Sequence, residues 1–390
     1  AAARTPLLCL VCGERGGVDV ILNVLLFIPL GFGLRLGGGR VRHAVIVSAL
    51  LSLTVESLQF AVIPGRDASL SDLLTNTGGG LLGALLVDRV PLLLSPSPRR
   101  AMRLLCAGLA AWIALLAVSG WLLMPHFGDS EIEAAAATIP APEVFTGRVL
   151  EVRRAGERQP HGGPLPDSAA VREALRRGEL TLEARVTTGT ASKGRRWLYM
   201  IGERGVPRLD LSEDDRDVLF GVPARAQELL LATPSLLLPD GLPSDSGRTA
   251  MLRAQERNRV LRLSSSYDGV TRSAALTLTP MLGWTLIAPF DLGVGPQVPF
   301  VTGLLLALVM VPLGHWARRA DRAAPASLLL AAGVGVGLGV VPRLEGFPPV
   351  PLTQWAAALA GIAAGWALSP AAAYLERRCG SPSTAESSSS

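Results

Sequence analysis

Long apolar runs alternate with short arginine-bearing segments along most of the chain. A helix needs about 20 mostly apolar residues to cross ~30 Å of hydrocarbon. Windows of this kind lie at about residues 20–38, 43–63, 70–94, 104–124, 298–316, 325–341 and 353–375. The pattern predicts a polytopic α-helical membrane protein with about seven spans.

The region between the fourth and fifth windows has a different pattern, with many charged residues, Pro and Gly. Short runs typical of strands recur in it: ELTLEARVTT, RRWLYMI, DVLFGV, QELLLAT, NRVLRLS and SAALTLT. Leu180, Leu182, Ala184 and Val186 alternate with polar residues, as in a sheet with one buried face. A short helix that ends at Gly178 precedes them, and AAAATIPAPE reads as a linker. We expect an inserted all-β sandwich.

These patterns divide the chain into four parts. A transmembrane domain with four spans occupies residues 1–124, the β-sandwich 125–295, three further spans 296–376 and a disordered tail 377–390.

Charge and composition agree with a membrane location. Hydrophobic residues make up 49% of the chain, and the net charge is +5. Most basic clusters fall between spans, so topology explains them better than nucleic-acid binding. The positive-inside rule makes these segments cytoplasmic: Arg35, Arg40 and Arg42; Arg99, Arg100 and Arg103; Arg318, Arg319 and Arg322; Arg377 and Arg378. The β domain is then extracytoplasmic, on the outer side of a bacterial cytoplasmic (inner) membrane.

Polar residues interrupt the first three spans, where an ionised side chain costs at least ~2.5 kcal/mol. They occur as pairs three or four residues apart, so that each pair shares one helix face. The PGRDAS connection between the second and third spans adds an arginine and an aspartate. We predict a polar pocket at one membrane surface, formed by Asp19, Asn23, Glu56, Gln59, Arg66, Asp67, Asp72 and Asn76; which of them is catalytic, if any, stays unknown.

A structural interpretation of these residues stays open. Asp72 and Asn76 stand near a helix start, where they can cap it, and Arg66 can form an ion pair with Glu56. Gly79 and Gly83 have the small-xxx-small spacing of a helix-packing face.

Taken together, this segment resembles the VanZ-like membrane proteins over about residues 15–90. The matching residues are Asp19, Asn23, Phe27, Pro29, Gly31, Glu56, Gln59, Arg66, Asp67, Asp72, Asn76 and Gly83. The leading span usual in that family is absent, so we expect an N-terminal truncation. The resemblance implies a cell-envelope protein, in a family whose named example gives low-level glycopeptide (teicoplanin) resistance.

The strand region is similar, more weakly, to concanavalin/LamG-type jelly-roll domains, from LTLEARV to the YDG at 267–269. Such domains often bind glycans or protein surfaces, sometimes through calcium. Asp210, Asp214, Asp215 and Asp217 form either a calcium cluster or, as we favour, a solvated acidic turn. Trp197, Tyr199, Tyr267 and Trp284 either stack on sugar or belong to the core.

Metal and cofactor motifs are absent from the sequence. The four histidines lack metal-ligand spacing, and no phosphate-binding glycine loop is present. Cys9 and Cys12 are a single C-x-x-C, compatible with a disulfide, inert thiols, a redox role or a metal. We expect no metal and no cofactor.

Two hypotheses about function remain, and in both the lipid bilayer is a partner. In the first, which we favour, the helices anchor an accessory protein whose outer domain binds a cell-wall or surface glycan or a glycopeptide. In the second, an outer-leaflet enzyme acts on a lipid-linked envelope substrate, with Glu56 or Asp72 as acid/base and Arg66 holding a phosphate or carboxylate.

Overall fold

The computed structural model describes residues 11, 15–62, 70–128, 130–138, 144–191, 193–203, 206–289 and 292–379. The first part of the chain is helical, as the apolar runs predict. Its helices are α1 (Gly16–Leu36), α2 (Val41–Val62), α3 (Leu70–Val87), the short α4 (Val90–Leu94) and α5 (Pro98–Leu123). Helix α1 ends where Gly38 adopts a left-handed conformation (φ +89°), and α5 begins at Pro98, which suits a first helical position.

The middle of the chain folds into two antiparallel sheets. Its elements are β1 (Ile132–Ala136), β2 (Arg148–Arg154), β3 (Glu157–Arg158), β4 (Gly162–Pro164), α6 (Ser168–Arg177), β5 (Glu179–Thr187), β6 (Arg196–Glu203), β7 (Val206–Asp214), β8 (Asp217–Gly221), β9 (Ser235–Leu238), β10 (Thr249–Arg257), β11 (Val260–Tyr267) and β12 (Val270–Thr277). One sheet has the order β4-β1-β6-β7-β8-β9 and the other β12-β11-β10-β5-β2-β3. The predicted all-β domain is confirmed.

Alternation along β5 shows why these residues form a sandwich. Four alternate side chains are buried between the sheets, those of Leu180, Leu182, Ala184 and Val186. The residues between them are exposed or half-buried on the outer face. Helix α6 packs beside this strand and ends at Gly178, whose left-handed φ of +64° stops the helix as predicted.

Helices return after the sandwich: α7 (Val298–Arg319), α8 (Ala323–Gly335), a π-helical turn (Val336–Val340), α9 (Val341–Leu344) and α10 (Leu352–Cys379). Within the described residues, six helical segments are long and apolar enough to cross a membrane. Helix α10, at the position of the predicted last span, is not one of these six. It packs closely on α7: a methyl group at Gly365 would collide with the carbonyl oxygen of Val311. The protein is therefore a multi-pass membrane protein.

The sandwich rests on the ends of the spans. Leu123 at the end of α5, Val18 of α1 and Val298 of α7 belong to the same buried cluster as the sandwich interior. The backbone N–H of Arg225 donates to the carbonyl oxygen of Met124 at 2.8 Å. Gly17 of α1 lies so close to the carbonyl of Leu229 that a methyl group would not fit. These span ends consequently share the side of the membrane on which the sandwich lies.

Two local predictions are wrong. QELLLAT is not a strand, because Arg225–Leu229 form a 3₁₀ helix and Leu230 adopts a left-handed φ of +54°. Periodicity alone does not distinguish a short apolar strand from a buried helical turn. AAAATIPAPE is not simply a linker, because Ile132–Ala136 form β1, which pairs with both β4 and β6. A fragment of the domain therefore has to begin before Ile132.

The third predicted span is also shorter than the apolar run. Helix α3 ends at Val87, and α4 begins separately at Val90 with Pro91 in its first turn. Asp88 between them forms an ion pair with Arg35 at the end of α1, at 2.7 Å.

Candidate functional site

Helices α1 and α3 approach each other through small residues. A methyl group at Gly83 would collide with the carbonyl oxygen of Ile28 and lie 2.8 Å from the backbone nitrogen of Phe32. A methyl group at Gly79 would lie 3.0 Å from the Cβ of Phe27 and collide with the carbonyl of Val24. Because backbones can approach only where side chains are missing, these glycines set the spacing at which polar side chains of the two helices meet.

A hydrogen-bonded network joins α1, α2 and α3. The side-chain amide of Asn23 donates to Oδ1 of Asp72 at 2.8 Å. The amide of Asn76 donates to Oγ of Ser52 at 3.0 Å, and this hydroxyl donates to the backbone carbonyl of Asp72 at 3.4 Å. Asp72 thus contacts both neighbouring helices, one through its carboxylate and one through its backbone.

Glu56 lies on the face of α2 that packs against the other helices. Its exposed fraction is 7%, and Ser52 and Ser48, one and two turns earlier, are fully buried. Residues four apart on a helix share a face, so Ser48, Ser52 and Glu56 form one polar stripe. Gly80 of α3 packs against this stripe, because a methyl group there would collide with the Ser48 side chain.

The structure brings some of the predicted residues together and not others. Asn23, Asp72 and Asn76 share the network, and Glu56 is buried on the same face as Ser52. Gln59 is half-buried on α2, whereas Asp19 is exposed near the start of α1. Arg66 and Asp67 of the predicted site, and also Cys9 and Cys12, lie outside the described residues.

Sequence reasoning missed Ser48 and Ser52. A signal for them exists, because Ser48, Ser52 and Glu56 recur at four-residue intervals within an otherwise apolar helix. Serines at this interval do not by themselves indicate a polar network, and their role becomes clear only from the burial of Glu56.

The network lies at hydrocarbon depth on the sandwich side. Asn23 is seven residues from the start of α1 and Glu56 six from the end of α2, which at 1.5 Å per residue places both roughly 10 Å from the helix ends. Two buried atoms, Oδ1 of Asn76 and Oγ of Ser48, have no hydrogen-bond partner in the described part of the chain. The described residues include no group of three or more His, Cys, Asp or Glu that could hold a metal ion.

The acidic residues of the sandwich have structural partners. Asp210 forms an ion pair with Arg195 at 2.8 Å. Oδ1 of Asp214 accepts the backbone N–H of Gly194 at 2.8 Å, and Oδ1 of Asp217 accepts that of Asp240 at 2.8 Å. The contacts of Asp214 and Asp217 lie at strand ends, which fits the acidic-turn interpretation, whereas Asp210 lies in the middle of β7.

The aromatic residues of the sandwich lie in or against its core. Tyr199 is fully buried, and burial raises the pKa of its phenol to about 12. Trp197, Tyr267 and Trp284 are partly buried and pack on the same cluster. The Tyr267 hydroxyl donates to the carbonyl of Asp240 at 3.1 Å, and the Trp284 indole to Oγ1 of Thr302 at 3.0 Å. The core interpretation fits all four.

The helices that carry the network also carry the resemblance to a known family. Residues 4–92 match the VanZ/LLP1 family model. The match contains α1, α2, α3 and every residue of the polar network, so this part of the chain is similar to the VanZ/LLP1 proteins. No curated protein and no solved structure matches the chain.

Proposed function

We propose that this protein is a bacterial cell-envelope membrane protein with an accessory, non-catalytic role. The VanZ-like helices anchor the β-sandwich at the extracytoplasmic surface of the cytoplasmic membrane. The sandwich there engages a cell-wall or surface glycan, or a glycopeptide of the teicoplanin type.

The observation that carries the proposal is the way the polar residues bind one another. The Asp72 carboxylate accepts the amide of Asn23, and Asn76 donates to Ser52. Hydrogen bonds between buried polar side chains favour one arrangement of the helices, and the glycine contacts leave little room for a substrate between α1 and α3. This arrangement suits a scaffold better than an open reaction centre.

The attachment of the sandwich to the spans supports the same role. The Arg225 guanidinium lies 4.5 Å from the centre of the Trp121 ring at the end of α5, and the two parts share one apolar cluster. A domain held in this way is presented at a defined height above the bilayer, which an accessory protein that captures an envelope component needs.

A glycan or glycopeptide ligand is the more specific part of the proposal. It rests on the similarity of the strand pattern to concanavalin/LamG-type domains. Because Trp197, Tyr199, Tyr267 and Trp284 pack in or against the core, we expect the contact surface to consist mainly of other residues.

The buried carboxyl group of Glu56 supports a second candidate function, that of an enzyme. Glu56 is a buried carboxyl in a membrane helix, and Ser52, one turn away, hydrogen-bonds to the backbone of Asp72. Carboxyl groups at such depth are often proton-transfer sites. In this alternative Glu56 or Asp72 exchanges a proton with a lipid-linked substrate and Arg66 holds its phosphate or carboxylate.

Three point variants distinguish the two functions, in a host whose teicoplanin susceptibility the wild-type protein alters. Glu56→Gln retains shape and hydrogen bonding but removes acid/base capacity, so we expect a normal phenotype at normal abundance. Asn76→Leu removes the 3.0 Å bond to Ser52, so abundance and phenotype should fall together. Ser57→Ala is the control, since the hydroxyl of this exposed residue, within the described residues, bonds only to the carbonyl of Leu53 in its own helix, at 2.7 Å.

A domain deletion tests the sandwich. Replacing residues 126–279 by a flexible linker should abolish the phenotype while the spans still insert. Loss of the phenotype at normal abundance in Glu56→Gln would instead favour the enzyme, and a normal phenotype without the sandwich would refute the accessory role proposed for it.

A further inference from the structure

A basic cavity of about 500 Å³ lies where the sandwich meets the end of α5. Its walls come from the chain that leaves α5, Met124 to Gly128, and from three arginines on separate elements. Arg176 is in the last turn of α6, Arg225 begins the 3₁₀ helix, and Arg259 is in the turn between β10 and β11. The volume falls in the range of small-molecule sites.

The cavity lies at the membrane surface. Trp121, in the last turn of α5, is 49% exposed, and tryptophan favours the headgroup level of a bilayer. The guanidinium of Arg225 stacks over this ring at 4.5 Å, and the backbone N–H of Arg225 donates to Met124, one residue beyond the helix. Arg225 therefore reaches the depth at which lipid phosphates lie.

The positive charge of the cavity is only partly neutralised. Arg259 forms an ion pair with the buried Glu256 at 3.0 Å and donates to the backbone carbonyl of Arg176 at 2.9 Å. Within the described residues, the side chains of Arg176 and Arg225 form no ion pair. Two positive charges thus remain available in one cavity.

A nearby carboxylate does not cancel this charge. Glu228 lies 3.3 Å from Nε2 of His126, a cavity residue, but it is also 3.6 Å from Nη2 of Arg208. Its charge is therefore offset by an arginine outside the cavity. Planar guanidinium groups match the oxygens of a phosphate and bind them with charge-assisted hydrogen bonds.

We propose that this cavity binds the phosphate group of an anionic phospholipid from the leaflet beneath the sandwich. Arg176 and Arg225 supply the charged contacts to the phosphate. Arg259, which is fixed by its ion pair with Glu256, lines the third side of the cavity. The bound headgroup then bridges α5 and the sandwich. The inference rests on the membrane location and this geometry, and it is independent of the envelope function proposed above.

The test uses the full chain in detergent micelles, titrated with phosphatidylglycerol or phosphatidylcholine and read by native mass spectrometry. Removing both guanidinium groups in Arg176→Gln/Arg225→Gln should weaken phosphatidylglycerol binding by at least about tenfold, the worth of one charged hydrogen bond. The matched control is Arg148→Gln/Lys193→Gln, which removes the same charge from two exposed positions that do not line the cavity. Arg148 pairs with Thr187 at the opposite end of β5, and Lys193 lies in the connection from β5 to β6.

Each outcome decides the proposal. Selective binding of phosphatidylglycerol that only the cavity variant weakens supports it. Equal affinity in cavity variant and control, or equal binding of phosphatidylcholine, overturns it. If inorganic phosphate binds by itself and displaces phosphatidylglycerol, the ligand is a soluble anion and the lipid proposal is overturned. If the double variant unfolds, Arg176→Gln alone decides, because this exposed side chain makes no hydrogen bond or ion pair in the described part of the chain.

Discussion

Replacing Gly83 by alanine should separate α1 from α3. The added methyl group would meet backbone atoms of Ile28 and Phe32, which cannot rotate away as the end of a flexible side chain can. Overpacking a close contact costs typically ~1–3 kcal/mol. The displacement would also move Asn23 away from Asp72, whose 2.8 Å hydrogen bond crosses the same interface.

Gly78→Ala is the matched control in the same helix. Nothing lies within 4 Å of a methyl group there, and both variants gain the same helix preference of alanine over glycine, about 1 kcal/mol. The difference between the two variants therefore isolates the packing cost.

The measurement is the Tm of each purified protein in detergent micelles. We expect Gly83→Ala to melt roughly 2–6 °C below Gly78→Ala, a range that follows from the packing cost and the usual dependence of Tm on stability in larger proteins. An equal Tm in the two variants would refute the close helix contact and, with it, the geometry of the polar network.

Two further predictions concern topology and pH. In intact cells, on a background without native cysteines, a membrane-impermeant thiol reagent should label Lys193→Cys in the sandwich but not Ser97→Cys before α5; the reverse pattern would refute the proposed extracytoplasmic orientation. Burial raises the pKa of Glu213 in β7 from its usual value to about 7, although Arg196 lowers it in part. The carboxyl group of Glu213 therefore binds its proton more tightly in the folded state than in the unfolded state. Its contribution to the free energy of unfolding is complete below pH ~4.5 and is lost as the pH rises through about 7. We expect the Tm of the wild type to fall between pH ~4.5 and about 7 by an amount equivalent to ~3 kcal/mol. In Glu213→Gln this contribution to the pH dependence of Tm should be missing. A variant whose Tm depends on pH as the wild type's does would show that another group is responsible.

Much of the fold follows from local patterns in the sequence. A helix in lipid has to satisfy its own backbone and present apolar side chains, so the length of an apolar run predicts a span. The alternation from Leu180 to Val186 predicts a half-buried strand because successive side chains point to opposite faces. The left-handed turn at Gly178 is likewise a local preference of glycine. Each of these depends on residues close together in the chain.

The tertiary structure decided which residues meet. Asn23 and Asp72 are 49 positions apart, and their hydrogen bond depends on how α1 and α3 rotate about a contact made by glycines. Ser52 joins the network for the same reason, whereas Asp19 stays exposed although it shares a face with Asn23 in the sequence pattern.

The sandwich shows the same division between local and distant contacts. Composition makes Ala134 to Ala136 look like a linker, but small side chains also fit a central strand when β4 and β6 pair with it on both sides. Arg225 reaches Trp121 only because the sandwich folds back onto the end of α5. Periodicity predicts which face of an element is apolar, and packing between distant elements determines what that face contacts.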